Sequence, residues 1–121
     1  MKNPVFKGIG TALVTPMTEK GVDYAAMERL VQRQLDANID ALIVCATTGE
    51  APTLADAEHI ETIRFVAQLA KGKTKIVAGT GSNYTDHACE MSIKARDVGA
   101  DALLCVSPYY NKCTQQGLYE S

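Results

Sequence analysis

Short apolar segments recur along the chain with centres near Leu13, Ile43, Val77 and Leu104, which lie 30, 34 and 27 residues apart. Each interval also holds a stretch with helical periodicity. Adjacent parallel strands cannot be joined by a tight turn and need a crossover of about a dozen residues or more. A strand–helix repeat of this length therefore demands parallel strands linked by right-handed crossovers, with helices covering them.

The segments can be placed individually. Residues 8–15, GIGTALVT, form an apolar run ending at Pro16, which cannot donate to a sheet ladder and suits a strand exit. Asp23 is positioned to cap a helix over about 24–37. Met27, Leu30, Val31 and Leu35 repeat there at helical spacing, and Arg29, Gln32 and Arg33 take the wet side. Residues 40–45, DALIVC, read as a buried strand. Thr53 is the expected cap of the next helix, with Asp56 completing a weak capping box and Ile60, Ile63, Val66, Ala67 and Ala70 forming its stripe. A third strand covers 75–78 and is followed by Gly79-Thr80-Gly81-Ser82-Asn83. A third helix covers about 86–98 with Ala88, Met91, Ala95 and Val98 inward, and a fourth strand covers 101–106. Asp40-Ala41-Leu42 and Asp101-Ala102-Leu103 echo one another, each opening a strand after a helix.

The βαβαβαβ order fits either a small doubly wound sheet or part of a closed (β/α)8 barrel. Residues 115–121 read as the first turn of a fourth helix that stops before it covers the fourth strand. A complete domain is expected to finish that crossover, because an open apolar sheet invites association. The expectation is a truncated chain, one partial barrel domain over 1–121, since such barrels need about 250 residues.

Composition removes several function classes. With 46% hydrophobic and 21% charged residues the chain is a folded globular protein, and 12 basic against 14 acidic residues provide no phosphate-tracking stripe for nucleic acid. The N-terminus lacks the apolar core of a signal peptide, and nowhere is there the run of about 18 apolar residues that a membrane span needs, so the expected location is the cytoplasm. Cys45, Cys89, Cys105 and Cys113 have no metal-ligand spacing. They are expected to be reduced, with Cys45 and Cys105 acting as small hydrophobes inside strands.

In either architecture, ligands gather at the carboxyl ends of the strands. The polar residues there are Thr47, Thr48 and Glu50 after the second strand, Thr80 and Asn83 after the third, and Tyr109, Tyr110, Asn111 and Lys112 after the fourth. Thr47 and Thr48 bring two hydroxyls and, with Gly49, approachable N–H groups. They suit a small carboxylate, or equally the satisfaction of a turn. Glu50 fits a loop-supporting carboxylate better than an acid or base, for want of a partner carboxylate. A phenol of Tyr109 or Tyr110 can pass a proton in imine or carbanion chemistry, or can simply pack. His59 and His87 lack metal spacing and are expected to be exposed or interfacial helix residues. Lys112 sits beside the tyrosines without an evident desolvating environment, and Cys113 has no triad around it.

Taken together, Gly8-Ile9-Gly10-Thr11-Ala12-Leu13-Val14-Thr15-Pro16, Thr47-Thr48-Gly49-Glu50 with Thr53-Leu54, Ala78-Gly79-Thr80-Gly81-Ser82-Asn83, and Pro108-Tyr109-Tyr110-Asn111-Lys112 with Gln115-Gln116-Gly117-Leu118-Tyr119 resemble the dihydrodipicolinate synthase family. The resemblance runs across essentially the whole chain in one register. It implies the N-terminal half of a (β/α)8 barrel from an enzyme that condenses pyruvate with aspartate semialdehyde through a Schiff base, on the diaminopimelate route to lysine. The complete enzyme would be a homotetramer or dimer needing no metal or cofactor. Related N-acetylneuraminate lyases and 2-keto-3-deoxy sugar acid aldolases are the alternatives within the superfamily, and a non-catalytic interaction half-barrel is the alternative outside it. By the resemblance, Thr47 and Thr48 hold the pyruvate carboxylate, and Thr48 and Tyr110 belong to the proton relay. Tyr109 lies at a subunit interface, and His59 and Asn83 line a regulatory lysine site. Asp56 and His87 depart from the histidine and glutamate common at two other positions of that site. Ala46 replaces a usual glycine, which matters only if the backbone there has positive φ. The family's imine-forming lysine falls on a sixth strand, so the 121-residue chain alone is expected to be inactive.

Overall fold

Asp23 sets the start of the first helix as its sequence position suggests. Its Oδ1 accepts from the backbone N of Ala26 at 3.0 Å, and the helix α1 (Tyr24–Asp36) buries Met27 and Val31. The structure is a computed structural model and describes residues 7–46, 49–50, 54–82, 84–105 and 115–116. Around α1 the element order is β1 (Gly10–Ala12), β2 (Met17–Thr18), β3 (Gly21–Val22), α1, β4 (Ala41–Val44), α2 (Asp56–Ala70), β5 (Lys75–Gly79), α3 (Thr85–Asp97) and β6 (Ala102–Leu104).

Four of the strands make one parallel sheet in the order β1-β4-β5-β6, with Gly10 opposite Ala41, Ile43 opposite Val77 and Val77 opposite Ala102. Spatial order equals chain order, so every crossover steps in the same direction, as in a barrel wall and unlike a doubly wound sheet. The architecture is α/β, a partial (β/α) barrel. The short β2–β3 hairpin was not anticipated. It lies between β1 and α1, with Met17 opposite Val22 in antiparallel register. Two-residue strands carry too little pattern to stand out in sequence. The hairpin is instead held by a tertiary bond, Val22 N donating to Glu58 Oε2 of α2 at 3.0 Å.

The core lies between the sheet and α1, α2 and α3. Leu42, Val44, Ile76 and Ala78 from the two central strands meet Ile63, Val66 and Ala70 of α2, Val31 of α1 and Ala95 of α3. Central strands buried on both faces read as unbroken apolar runs, which is why β4 and β5 were the clearest strands in the sequence.

Three expectations are corrected. The cap of α2 is Ala55, with no side-chain cap bond. Asp56 and Glu58 in the first turn meet the exposed N–H groups electrostatically instead, and Thr53 lies outside the described residues. Cys105 is exposed rather than core, and Leu103 and Leu104 on β6 are each 44% exposed; among the described residues β6 has a strand on one side only. His59, expected to be exposed or interfacial, is buried at 8% exposure, where α2 meets the end of β5.

Candidate functional site

The carboxyl ends of β1, β4, β5 and β6 converge on one rim. The turn after β4 is tightly determined. Cys45 and Glu50 both have φ of 58°, a left-handed conformation that costs a non-glycine residue about 1 kcal/mol or more and concentrates where a backbone must be aimed. Ala46 is not among the positive-φ residues, so the alanine there is unstrained and the left-handed position falls one residue earlier. Burial pushes the Cys45 thiol up to about 12, leaving it an inert core group.

Two glycines let the neighbouring chains close on this turn. A Cβ on Gly49 would lie 3.0 Å from Thr15 Oγ1 and 3.1 Å from both Cys45 N and Leu13 O, so the β4 loop rests directly on the end of β1. A Cβ on Gly79 would lie 2.5 Å from Cys45 O and 2.8 Å from Ala46 Cα, so the same turn is pressed against β5 from the other side. Both contacts need the missing side chain. Cys45, Ala46 and Gly49 are thus held closely against the ends of β1 and β5.

His59 of α2 reaches beneath this turn. Its Nε2 lies 2.7 Å from the carbonyl oxygen of Gly79. A carbonyl only accepts, so Nε2 carries the proton. Burial is the main influence on the ring and lowers its pKa below 6.5, against smaller opposing effects of the Gly79 bond and Asp56. His59 is therefore the neutral Nε2–H tautomer near pH 7. Cys45 Sγ contacts the His59 carbonyl oxygen at 3.8 Å, completing the tie between α2 and the β4 exit.

A second cluster joins the starts of α2 and α3. His87 Nε2 lies 2.9 and 3.0 Å from the two carboxylate oxygens of Asp56, and its Nδ1 lies 3.1 Å from Ser82 Oγ. The two residues that differ from the usual histidine and glutamate thus bond to one another across the rim. Thr80, anticipated as a possible site lining, is instead structural. Its hydroxyl is paired with Ser92 Oγ at 2.8 Å and Cys105 Sγ at 3.5 Å, tying β5 to α3 and to the end of β6.

Of the candidate rim residues, Glu50, His59 and Thr80 are described. Thr47, Thr48, Asn83, Tyr109, Tyr110, Asn111, Lys112 and Cys113 lie outside the described residues. Sequence reading passed over Thr15. It is 4% exposed at the end of β1, and its Oγ1 is the one buried side-chain polar atom without a hydrogen-bond partner among the described residues. The signal for it was modest: a threonine directly before the proline that ends the strand. A groove of about 1140 Å³ lies at the opposite end of the sheet, lined by Asp40, Asp101, Lys73 and Lys75 among others. That is the amino end of the strands, where barrel residues serve stability. Asp40 and Asp101 do so here by accepting from Ile9 N and Ile76 N, each at 2.8 Å. The described residues hold no cluster of three or more metal-ligating side chains.

Residues 5–121 match the model of the dihydrodipicolinate synthetase family. The 4-hydroxy-tetrahydrodipicolinate synthase of Acetivibrio thermocellus is 49% identical over 120 residues, covering 99% of this chain and 41% of that one. The crystal structure of dihydrodipicolinate synthase from Aquifex aeolicus superposes with a TM-score of 0.88 at 49% identity, covering 95% of this chain and 39% of that one. The chloride-inhibited enzyme of Acinetobacter baumannii, solved in complex with pyruvate, gives 0.87 at 44% identity, covering 93% and 39%. The chain spans about two fifths of the length of the relatives it matches. Over that span the sequence matches the family model and the backbone superposes on solved members: the chain belongs to the dihydrodipicolinate synthetase family.

Proposed function

We propose that this chain forms the carboxylate-binding and proton-transfer part of a 4-hydroxy-tetrahydrodipicolinate synthase, which condenses pyruvate with aspartate semialdehyde in lysine and diaminopimelate biosynthesis. The observation that carries the reading is the single-register match across nearly the whole chain to synthases of that name, one of them solved with pyruvate. In the reaction a lysine amine adds to the pyruvate ketone and expels water. The resulting imine accepts the electron pair left when a methyl proton departs, and the enamine carbon then attacks the aldehyde. Thr47 and Thr48 would hold the pyruvate carboxylate, with their segment aimed by Gly49 and the turn at Cys45. Thr48 and Tyr110 would relay the proton, and Tyr109 would pack at a subunit interface of a dimer or tetramer. His59 and Asn83 would belong to a neighbouring regulatory pocket. The buried ring of His59 and its bond to Gly79 support a role as part of that pocket's wall.

The imine-forming lysine would come from outside this segment. All six described lysines, Lys7, Lys20, Lys71, Lys73, Lys75 and Lys94, are exposed, whereas a lysine that attacks a ketone at neutral pH needs desolvation or a cationic neighbour to lower its pKa. None of the described helices is long and apolar enough to cross a membrane, and the proposed location is the cytoplasm. The test is borohydride trapping with pyruvate, read by intact mass. The 121-residue chain should gain no adduct and make no product. A barrel completed with the second half of a relative should gain one adduct. In that barrel, Tyr110→Phe should lower kcat about 10²-fold or more while trapping persists. Product formation by the 121-residue chain alone, or full turnover by the Tyr110→Phe barrel, would refute the corresponding assignment.

A further inference from the structure

Four polar side chains are buried among the described residues, those of Thr15, His59, Thr62 and Thr80. Three of them are paired: His59 with the Gly79 carbonyl, Thr62 Oγ1 donating to the Glu58 carbonyl at 2.8 Å, and Thr80 with Ser92. Thr15 Oγ1 is the exception among the described residues. A buried hydroxyl without a partner destabilises a fold, and valine would fill the same space without that cost, so packing does not account for it.

The surroundings of the hydroxyl supply an account. Among the described residues, the last backbone bond between the ends of β1 and β4 joins Leu13 N to Ile43 O at 2.9 Å. Past that point Gly49 is wedged between the two chains, with the position its Cβ would take 3.0 Å from Thr15 Oγ1 and 3.1 Å from both Cys45 N and Leu13 O. The hydroxyl therefore lies against the Gly49 backbone, with which it could exchange a hydrogen bond in either direction, yet it makes none. Left-handed Cys45 and Glu50 stand at the two ends of the same turn. Backbone held in such sparsely populated conformations clusters at ligand clamps and switch regions.

We infer that Thr15 is a positioning residue of the carboxylate-binding loop: with a small carboxylate bound at the rim, the Gly49 turn settles onto the Thr15 hydroxyl and bonds to it. The inference rests on the proposed function, in which Thr47 and Thr48 hold the carboxylate of pyruvate. A glycine next to left-handed residues can rotate its peptide groups at little cost, and the hydroxyl is already buried, so it needs no further desolvation to meet one. The bond belongs to the complex and not to the fold. It strengthens ligand binding while adding nothing to stability.

The experiment uses the barrel completed with the second half of a relative, as wild type, Thr15→Val and Thr15→Ser. Thr15→Val should need about five- to tenfold more pyruvate for half-maximal borohydride trapping, the worth of one hydrogen bond made only in the complex. Its kcat at saturating substrates should stay within about twofold of wild type. Its thermal midpoint without pyruvate should be no lower than that of the wild type, and the same pyruvate concentration should raise it less. Thr15→Ser, which keeps the hydroxyl, should bind pyruvate as the wild type does. An unchanged pyruvate requirement in Thr15→Val, a lowered midpoint or loss of the fold in that variant, or a Thr15→Ser barrel that behaves like Thr15→Val would each overturn the inference alone. A folded wild-type barrel that traps no pyruvate would overturn the reading of the rim, and the inference with it.

Discussion

The buried imidazole of His59 and the carbonyl of Gly79 are each other's answer to desolvation, and removing either leaves the other costly. His59→Leu keeps the volume roughly constant but leaves the Gly79 oxygen without its donor. It should lower stability by about 1–3 kcal/mol, measurable by urea denaturation. The pH dependence has a definite sign. The folded pKa of His59 is lowered below 6.5, so the unfolded chain binds the proton more readily. The stabilisation is complete above pH 6.5 and is lost as pH falls through the depressed folded value. His59→Leu should flatten that part of the acid limb. Two of the buried threonines, Thr80 and Thr15, should respond oppositely to loss of the hydroxyl. Thr80→Val removes the bond to Ser92 and should cost about 1 kcal/mol, whereas Thr15→Val removes a hydroxyl that has no partner among the described residues and should gain up to about 1 kcal/mol. A drop in stability for Thr15→Val would mean that the hydroxyl has a partner, such as an ordered water. None of this was legible in the sequence. A histidine on a helix and a threonine before a proline carry no mark of burial, which is decided by strands arriving from elsewhere in the chain.

Among the elements, the helices were legible where their own residues fix them and obscure where a neighbour does. Asp23 at the start of α1 acts locally, bonding to a backbone group three residues on. Asp23→Ala should lower stability by about 1 kcal/mol, read from the shift in thermal midpoint. The start of α2 offered an equally plausible cap in Thr53, yet the helix begins after Ala55. Its first turn is instead tied sideways, by Asp56 to His87 and by Glu58 to the hairpin at Val22. The echo of Asp40-Ala41-Leu42 in Asp101-Ala102-Leu103 has a shared mechanical meaning. In each case a helix ends in a left-handed residue, Asn38 (φ 56°) or Gly99 (φ 115°), and an aspartate two residues later accepts from the backbone of the preceding strand of the sheet. The repeated sequence is a repeated joint, and it marks how each unit is pinned to the one before.

For the molecule as a whole, the spacing of apolar segments was enough to give the parallel α/β architecture, because the connection length between parallel strands is a physical constraint and not a preference. It did not give the exposure of β6. That follows from which strands stand beside it, and DALLCV resembles DALIVC closely enough that both read as interior. The candidate site was legible as a set of loops at one rim. The structure adds its scaffold, namely the two glycine contacts, the left-handed Cys45 and the His59 brace, all of them properties of backbone approach that composition does not encode. The chemistry proposed for the rim predicts no imine on the described lysines.

Because the strands stand side by side in the order in which they occur along the chain, each new strand finds its neighbour already present. A nascent polypeptide with this topology can lay down its sheet from first strand to last as it leaves the ribosome, closing one short crossover at a time and never waiting for a distant segment. The outer edge of β1 stays open behind it while the advancing edge is always the most recently made strand, and it is at these two edges that a chaperone or a stray chain would meet the growing protein.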